Sequence, residues 1–143
     1  MKDNAVSPID FIFVDDDPIS NMICKFTVEM MLGKVSSQSF VSPELALEYL
    51  TATYLTNNHH NKTVLLLDIN MPGMSGWEFL ERFDNLKGII KELIHIYILS
   101  SSVDERDKLR SYANKNVLGF LVKPLSKETV SQVADGWFLP DKP

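Results

Sequence analysis

The chain is short of most of what specialised protein classes are built from. One cysteine, Cys24, stands among 143 residues, so no internal disulfide can form, and no cysteine or multiple-histidine cluster is present to favour zinc. Cys24 falls in a helix-like stretch, where the expectation is a small core residue in a protein of a reducing compartment. Long apolar runs are missing as well. Nothing approaches the roughly 20 residues that span a bilayer, and the start of the chain, Met1-Lys2-Asp3-Asn4, has no apolar segment of the kind a secretory signal needs. The expectation is a cytoplasmic protein with no membrane role. Positive charge is scarce too: 14 Lys and Arg residues against 19 Asp and Glu leave a net charge of −5, and the cations are scattered. A surface that grips nucleic-acid phosphates needs them clustered, so this chain acting alone is not expected to bind nucleic acid. Internal repeats, low-complexity tracts and linkers are absent, and the length suits one hydrophobic core. A single domain is expected over residues 1–143, its core running from about 9 to 138.

What is present is an alternation of two periods. Ile9–Val14 reads as a short buried strand, and Asp17-Pro18 as a helix N-cap with proline at the first helical position. Ile19, Met22, Ile23, Phe26 and Met30 then recur at helical spacing, with Gly33 as the stop. Val35–Phe40 alternates polar with apolar residues and reads as a partly exposed strand. Ser42-Pro43 repeats the cap-and-proline device and opens a second helix to about Leu55. In the polar loop Asn57–Lys62, adjacent His59 and His60 point apart and make a poor metal pair. Val64–Asp68 reads as a third strand and Trp77–Lys87 as a third helix, with Trp77, Leu80 and Phe83 along one face. Leu93–Leu99 is the fourth strand, and Ser102-Val103-Asp104-Glu105 fits a capping box opening a fourth helix. Val117–Val122 is the fifth strand, stopped by Lys123-Pro124, and Ser126–Phe138 is the last helix. Such alternation implies an α/β fold, a parallel sheet with helices on both faces. Uninterrupted apolar runs such as Val64–Leu67 fit strands buried on both sides.

Three of these strands end in polar groups. Phe11–Val14 runs into Asp15, Asp16 and Asp17; Val64–Leu67 runs into Asp68; Ile96–Leu99 runs into Ser100, Ser101 and Ser102. In open α/β sheets ligands bind beyond the carboxyl ends of the strands, so these ends describe one shared site. Carboxylates gathered in one crevice repel one another unless a cation neutralises them, and an all-oxygen ligand set with waters suits a hard divalent ion, Mg²⁺ or Mn²⁺. A carboxylate beside such an ion can act as the nucleophile of phosphoryl transfer and form an aspartyl phosphate. Ser100 offers a hydroxyl to the same place, and Lys123, at the end of the fifth strand, offers a compact positive charge suited to phosphate.

The set Asp15-Asp16, Asp68 with Met71-Pro72-Gly73-Met74-Ser75-Gly76, Ser100 and Lys123-Pro124 resembles the receiver domain of bacterial two-component response regulators, over about Ile9 to Phe138. The resemblance implies a flavodoxin-like, doubly wound sheet in the order 2-1-3-4-5 with five helices. It implies that Asp68 accepts a phosphoryl group from a sensor histidine kinase or phosphotransfer protein. Asp16 and Asp68 would hold Mg²⁺ through their carboxylates, Asp15 through water, and Asn70 through its backbone carbonyl. Ser100 matches the switch hydroxyl, Lys123 the ion pair to the phosphoryl group, and Phe120 the switch aromatic that relays the change toward the fourth helix and fifth strand. The Lys123–Pro124 bond is expected to be cis. The chain departs from the family before the fifth strand, where Tyr112-Ala113-Asn114-Lys115-Asn116-Val117 lacks the usual small-residue turn; a short or mobile fourth helix is expected. The last helix uses most of the residues after Lys123, so no output domain is expected there, and the expected output is docking of a protein partner or onward transfer in a phosphorelay rather than an enzyme activity. A second reading, a haloacid-dehalogenase-like phosphatase, wants an acid two residues after the nucleophile, where this chain has Asn70. A third is a receiver-like scaffold that never takes phosphate.

Overall fold

The structure, a computed structural model, describes residues 9–56 and 61–135. Among these residues eleven elements occur in order: β1 (Ile9–Val14), α1 (Pro18–Leu32), β2 (Ser37–Phe40), α2 (Pro43–Thr56), β3 (Lys62–Leu67), α3 (Gly76–Asp84), α4 (Gly88–Leu93), β4 (Ile94–Ser100), α5 (Glu105–Ala113), β5 (Val117–Val122) and α6 (Lys127–Ala134). The five strands form one sheet in the order β2-β1-β3-β4-β5, every pairing parallel. Among the described residues six helices therefore flank the sheet, where the sequence reading has five. The addition is α4, a six-residue helix of less than two turns that buries Ile90, too brief to impose a period on the sequence. None of the described helices is long and apolar enough to cross a membrane.

Strand side chains alternate between the two faces, and the alternation sorts the core. Phe11, Phe13, Val64, Leu66, Tyr97 and Leu99 pack on one side with Cys24 and Val28 of α1 and Val130 and Val133 of α6. Ile12, Val14, Leu65, Leu67, Ile96 and Ile98 pack on the other with Ala46 and Leu50 of α2, Phe79, Leu80 and Phe83 of α3, and Ile90. Apolar strands are thus covered on both sides, as parallel sheets require. Cys24 is a buried core residue, and burial pushes its thiol up to about 11.

The helix starts reflect local chemistry. Asp17 caps α1 by accepting from the Ile19 N–H, Ser42 Oγ accepts from the Leu45 N–H, and Ser126 caps α6. Ser75 and Glu78 form a reciprocal capping box at α3. The capping box expected at Ser102 does not form: α5 is capped by Asp104, two residues later, and Ser102 Oγ instead accepts from the Asp104 N–H and donates to Asp107. Residues 57–60, with His59 and His60, and the expected end of the last helix beyond residue 135 lie outside the described residues.

Helix α1 differs from what its periodicity suggests. The stripe Ile19, Met22, Ile23, Phe26 and Met30 is 48–67% exposed, and the residues turned to the sheet are Asn21, Cys24 and Val28. The spacing marks a helix correctly; it does not say which apolar stripe meets the core.

His95, on β4 opposite Val64, carries a consequence for stability. Burial, helped by the nearby charge of Lys62, pulls its imidazole down to about 4 from 6.5. Between those values the unfolded chain binds a proton that the folded chain refuses. The neutral imidazole's contribution is therefore present above pH 6.5 and lost as pH falls toward 4, at no more than about 1.4 kcal/mol per pH unit. Urea unfolding of the wild type and His95→Gln at about pH 7 and about pH 5 tests this. The wild type should lose stability relative to the variant on acidification; a gap that stays constant sinks the assignment.

Candidate functional site

The carboxyl ends of β1, β3, β4 and β5 meet at one rim. The Asp68 N–H donates to the carbonyl of Val14 at 2.9 Å and the Lys123 N–H to that of Ser100 at 2.9 Å, extending the sheet pairing just past the strands. These two bonds bring Asp68 beside Asp15 and Asp16, and Lys123 beside Asp15 and Asp68. One carboxylate oxygen from each of Asp15, Asp16 and Asp68 lies within 4.8 Å of the others. Asp15 and Asp68 are buried, 5% and 7% exposed, while Asp16 faces solvent. Lys123 Nζ donates to Asp15 Oδ2 at 2.6 Å and stands 3.9 Å from Asp68 Oδ1. The other Asp15 oxygen accepts from the Asp17 N–H at 2.9 Å.

The electrostatics arise from this crowding. Burial, then the charge of Asp15, pushes the Asp68 carboxyl up to about 6, against the pull of Lys123 and the Asn70 N–H. Burial pulls the Lys123 ammonium down, but its bond to Asp15 and the charges of Asp68 and Asp15 outweigh that and hold it above its ordinary value. The single lysine does not neutralise the acids. A set of hard oxygen donors, two sheltered and one open to water, fits a small divalent cation that keeps part of its hydration shell. Asn70 lies two residues beyond Asp68, its N–H donating to Asp68 Oδ1 at 3.4 Å.

Ser100 is completely buried, and its Oγ accepts from the Ser102 N–H at 3.0 Å. Phe120 on β5 pairs with Ile98, two residues before Ser100, and packs against the core on the α2–α3 side. It also lines a cavity of about 260 Å³ with Ser102, Val103, Asp104, Glu105, Lys108 and Val122. The Lys123–Pro124 peptide bond is cis.

One residue in the Asp68 loop escaped sequence reasoning as a positioning element. The loop from Asp68 turns at Gly73, whose φ of +80° favours glycine, and returns to the strand end at Gly76. A Cβ on Gly76 would sit 2.6 Å from the Asp68 carbonyl oxygen and 2.7 Å from the Ile69 Cα, both backbone. Only glycine lets α3 begin against the residues that continue from β3. Its position in Met-Pro-Gly-Met-Ser-Gly was the available signal, but the reason for it is a close approach visible only in three dimensions.

A family model for the response regulator receiver domain matches residues 11–135. Among solved structures, the fold is similar to a response regulator receiver protein of Dyadobacter fermentans, with 27% identity and a TM-score of 0.82, covering 92% of this chain and 99% of that one. It is equally similar to a two-component response regulator of Cytophaga hutchinsonii, with 26% identity, a TM-score of 0.82, and 92% and 97% coverage. A two-component response regulator of Legionella pneumophila matches with 26% identity, a TM-score of 0.71, and 87% and 94% coverage. No curated protein sequence matches the chain. The parallel sheet, the acid cluster at its rim and the match over nearly the whole described length lead to one conclusion: the chain belongs to the response regulator receiver domain family.

Proposed function

We propose that this domain is a phospho-accepting switch in which Asp68 takes a phosphoryl group from a sensor histidine kinase or phosphotransfer protein. The observation that carries the reading is the convergence of Asp15, Asp16 and Asp68 within 4.8 Å with Lys123 Nζ 2.6 Å from Asp15. The Asp68 oxygen attacks phosphorus, the bond from phosphorus to the donor imidazole nitrogen breaks, and that nitrogen keeps the electron pair. Asp15, Asp16, Asp68 and the backbone carbonyl of Asn70 would hold Mg²⁺ or Mn²⁺, which when bound neutralises charge building on the transferred group. Lys123 lies near enough to move from Asp15 to the phosphoryl oxygens. Ser100, released from the Ser102 N–H, turns its hydroxyl to the same group. Phe120 shares a sheet face with Ser100 and moves into the space it leaves, altering the surface of α5 and β5 for a protein partner.

Acetyl phosphate with Mg²⁺ should add one phosphoryl group to the intact protein and none to Asp68→Asn, read by mass spectrometry. A wild type that gains no mass favours the non-phosphorylated scaffold instead. The phosphatase alternative lacks an observation in its favour, since Asn70 cannot serve as a proton donor to a leaving group as an acid would.

The exposed stripe of α1 suits the donor protein. A cavity of about 330 Å³ beside the rim is lined by Asp17, Ile19, Ser20, Ile23, Lys123 and Pro124 among others, so the apolar stripe is continuous with the mouth that a phosphohistidine must enter. Joint replacement of Met22 and Phe26, 67% and 64% exposed, by aspartate should slow transfer from a phosphohistidine donor protein by about tenfold or more. Labelling by acetyl phosphate should be unchanged. Equal slowing with both donors counts against this docking face.

A further inference from the structure

Helix α1 turns one polar side chain fully toward the sheet. Asn21 is 3% exposed, and its Nδ2 donates to the backbone carbonyls of Asp15 at 3.0 Å and Phe40 at 3.3 Å. The Phe40 carbonyl also accepts from the Asp15 N–H at 3.1 Å. The backbone of Asp15 is therefore held on both sides, its N–H by β2 and its carbonyl by Asn21. The Asp15 carbonyl belongs to the peptide group joining Asp15 to Asp16. Rotating that group changes ψ of Asp15 and φ of Asp16, and so swings the Asp16 carboxylate. The Asp15 side chain has its own restraints in Lys123 and the Asp17 N–H; Asp16, facing solvent, depends on its backbone.

Asn21 is also an odd choice for stability. Its Oδ1 is buried with no hydrogen-bond partner, which disfavours the folded state. Turning the amide over would relieve nothing, because it would set that oxygen against two carbonyl oxygens. We infer that Asn21 is a positioning residue for cation loading: its amide locks the Asp15–Asp16 peptide so that the Asp16 carboxylate stands within reach of those of Asp15 and Asp68. The inference rests on the reading of the three acids as a divalent-cation site.

The test is a calorimetric Mg²⁺ titration without phosphodonor, paired with the Mg²⁺ dependence of labelling by acetyl phosphate. Asn21→Leu keeps the branched four-atom shape, with somewhat more bulk, and loses the donor; Asn21→Ala loses both shape and donor. Each should raise the Kd for Mg²⁺ about tenfold and raise half-saturating Mg²⁺ for labelling in parallel, while the rate at saturating Mg²⁺ stays within about threefold. Val28→Ala, buried on the same helix and outside the acid turn, should lower Tm without changing the Kd. Folded Asn21 variants with a wild-type Kd overturn the inference, as does Val28→Ala weakening Mg²⁺ equally. If both Asn21 variants fail to fold even in Mg²⁺, Asn21 serves the fold and the inference is wrong. If the wild type itself binds no Mg²⁺, the cation-site reading fails first and takes the inference with it.

Discussion

Asp68→Asn should abolish phosphoryl uptake and, in metal-free buffer at neutral pH, make the protein more stable. The gain in stability comes from the environment of Asp68. A carboxyl pushed up to about 6 from 3.8 is one whose ionised form the fold disfavours, through burial first and the charge of Asp15 next. Its contribution to stability is fully present below pH 3.8 and is lost as pH rises through 6. At pH 7 the wild type therefore carries a buried charge that the neutral amide removes. The gain should be on the order of 2 kcal/mol, or a rise in Tm of about 5–10 °C. The difference should shrink on acidification, where Asp68 is protonated in either state. On the proposed cation-site reading, Mg²⁺ should reverse the order, because it would bind the folded wild type and stabilise it by mass action, and the variant far less. Thermal unfolding with and without Mg²⁺ measures all of this. A variant less stable than the wild type at pH 7 without metal would falsify the electrostatic account.

Lys123→Met should do the opposite. Lys123 Nζ sits 2.6 Å from Asp15 and 3.9 Å from Asp68, with the lysine side chain 23% and each aspartate side chain 8% exposed. Removing it leaves the buried acids facing each other without the cation. Breaking such a pair from one side costs about 2–4 kcal/mol once partial exposure of the lysine is allowed for. The loss should be largest at neutral pH, above the Asp68 value of about 6, and should fade on acidification. Mg²⁺ should restore much of it. Asp68 stays available, so acetyl phosphate should still label this variant, but the phosphoryl group would lack the cation that draws it toward β5. Partner binding should then stop responding to phosphorylation. Urea unfolding at two pH values checks the stability part, and Lys123→Met unfolding at the wild-type midpoint in metal-free buffer at pH 7 would sink it.

The two variants bracket the design of the rim. On the proposed cation-site reading, bound Mg²⁺ would offset the excess negative charge at Asp68, whereas in metal-free protein Lys123 supplies the charge that Asp15 Oδ2 is bonded to. On that reading, stability given up at Asp68 in metal-free protein would be recovered in the loaded state, as is common for groups that must react.

Much of this was legible in the residues. Asp17-Pro18 and Ser42-Pro43 announced their helices because a cap and a proline act within one turn. Continuous apolar strands announced a sheet covered on both faces. The site was legible because α/β topology converts strand ends into neighbours: Asp15, Asp68, Ser100 and Lys123, far apart in the chain, had to meet once the strands were parallel. The Ser102 capping box failed for a local reason. Asp104 offers a better-placed carboxylate to the next turn, and a sequence pattern cannot rank two competing caps.

What the sequence by itself determined, then, was the order of elements, the sheet's class and the identity of the candidate reacting groups, because these depend on short-range periodicity and on a topology with few alternatives. Only the tertiary structure decided orientation and proximity. It turned the apolar stripe of α1 outward and Asn21 inward, brought Gly76 against the Asp68 backbone, and gave Lys123 to Asp15 more closely than to Asp68. Each is a matter of how two elements pack against each other, with side chains distant in sequence competing for the same space. Composition and spacing along one element carry no record of that competition.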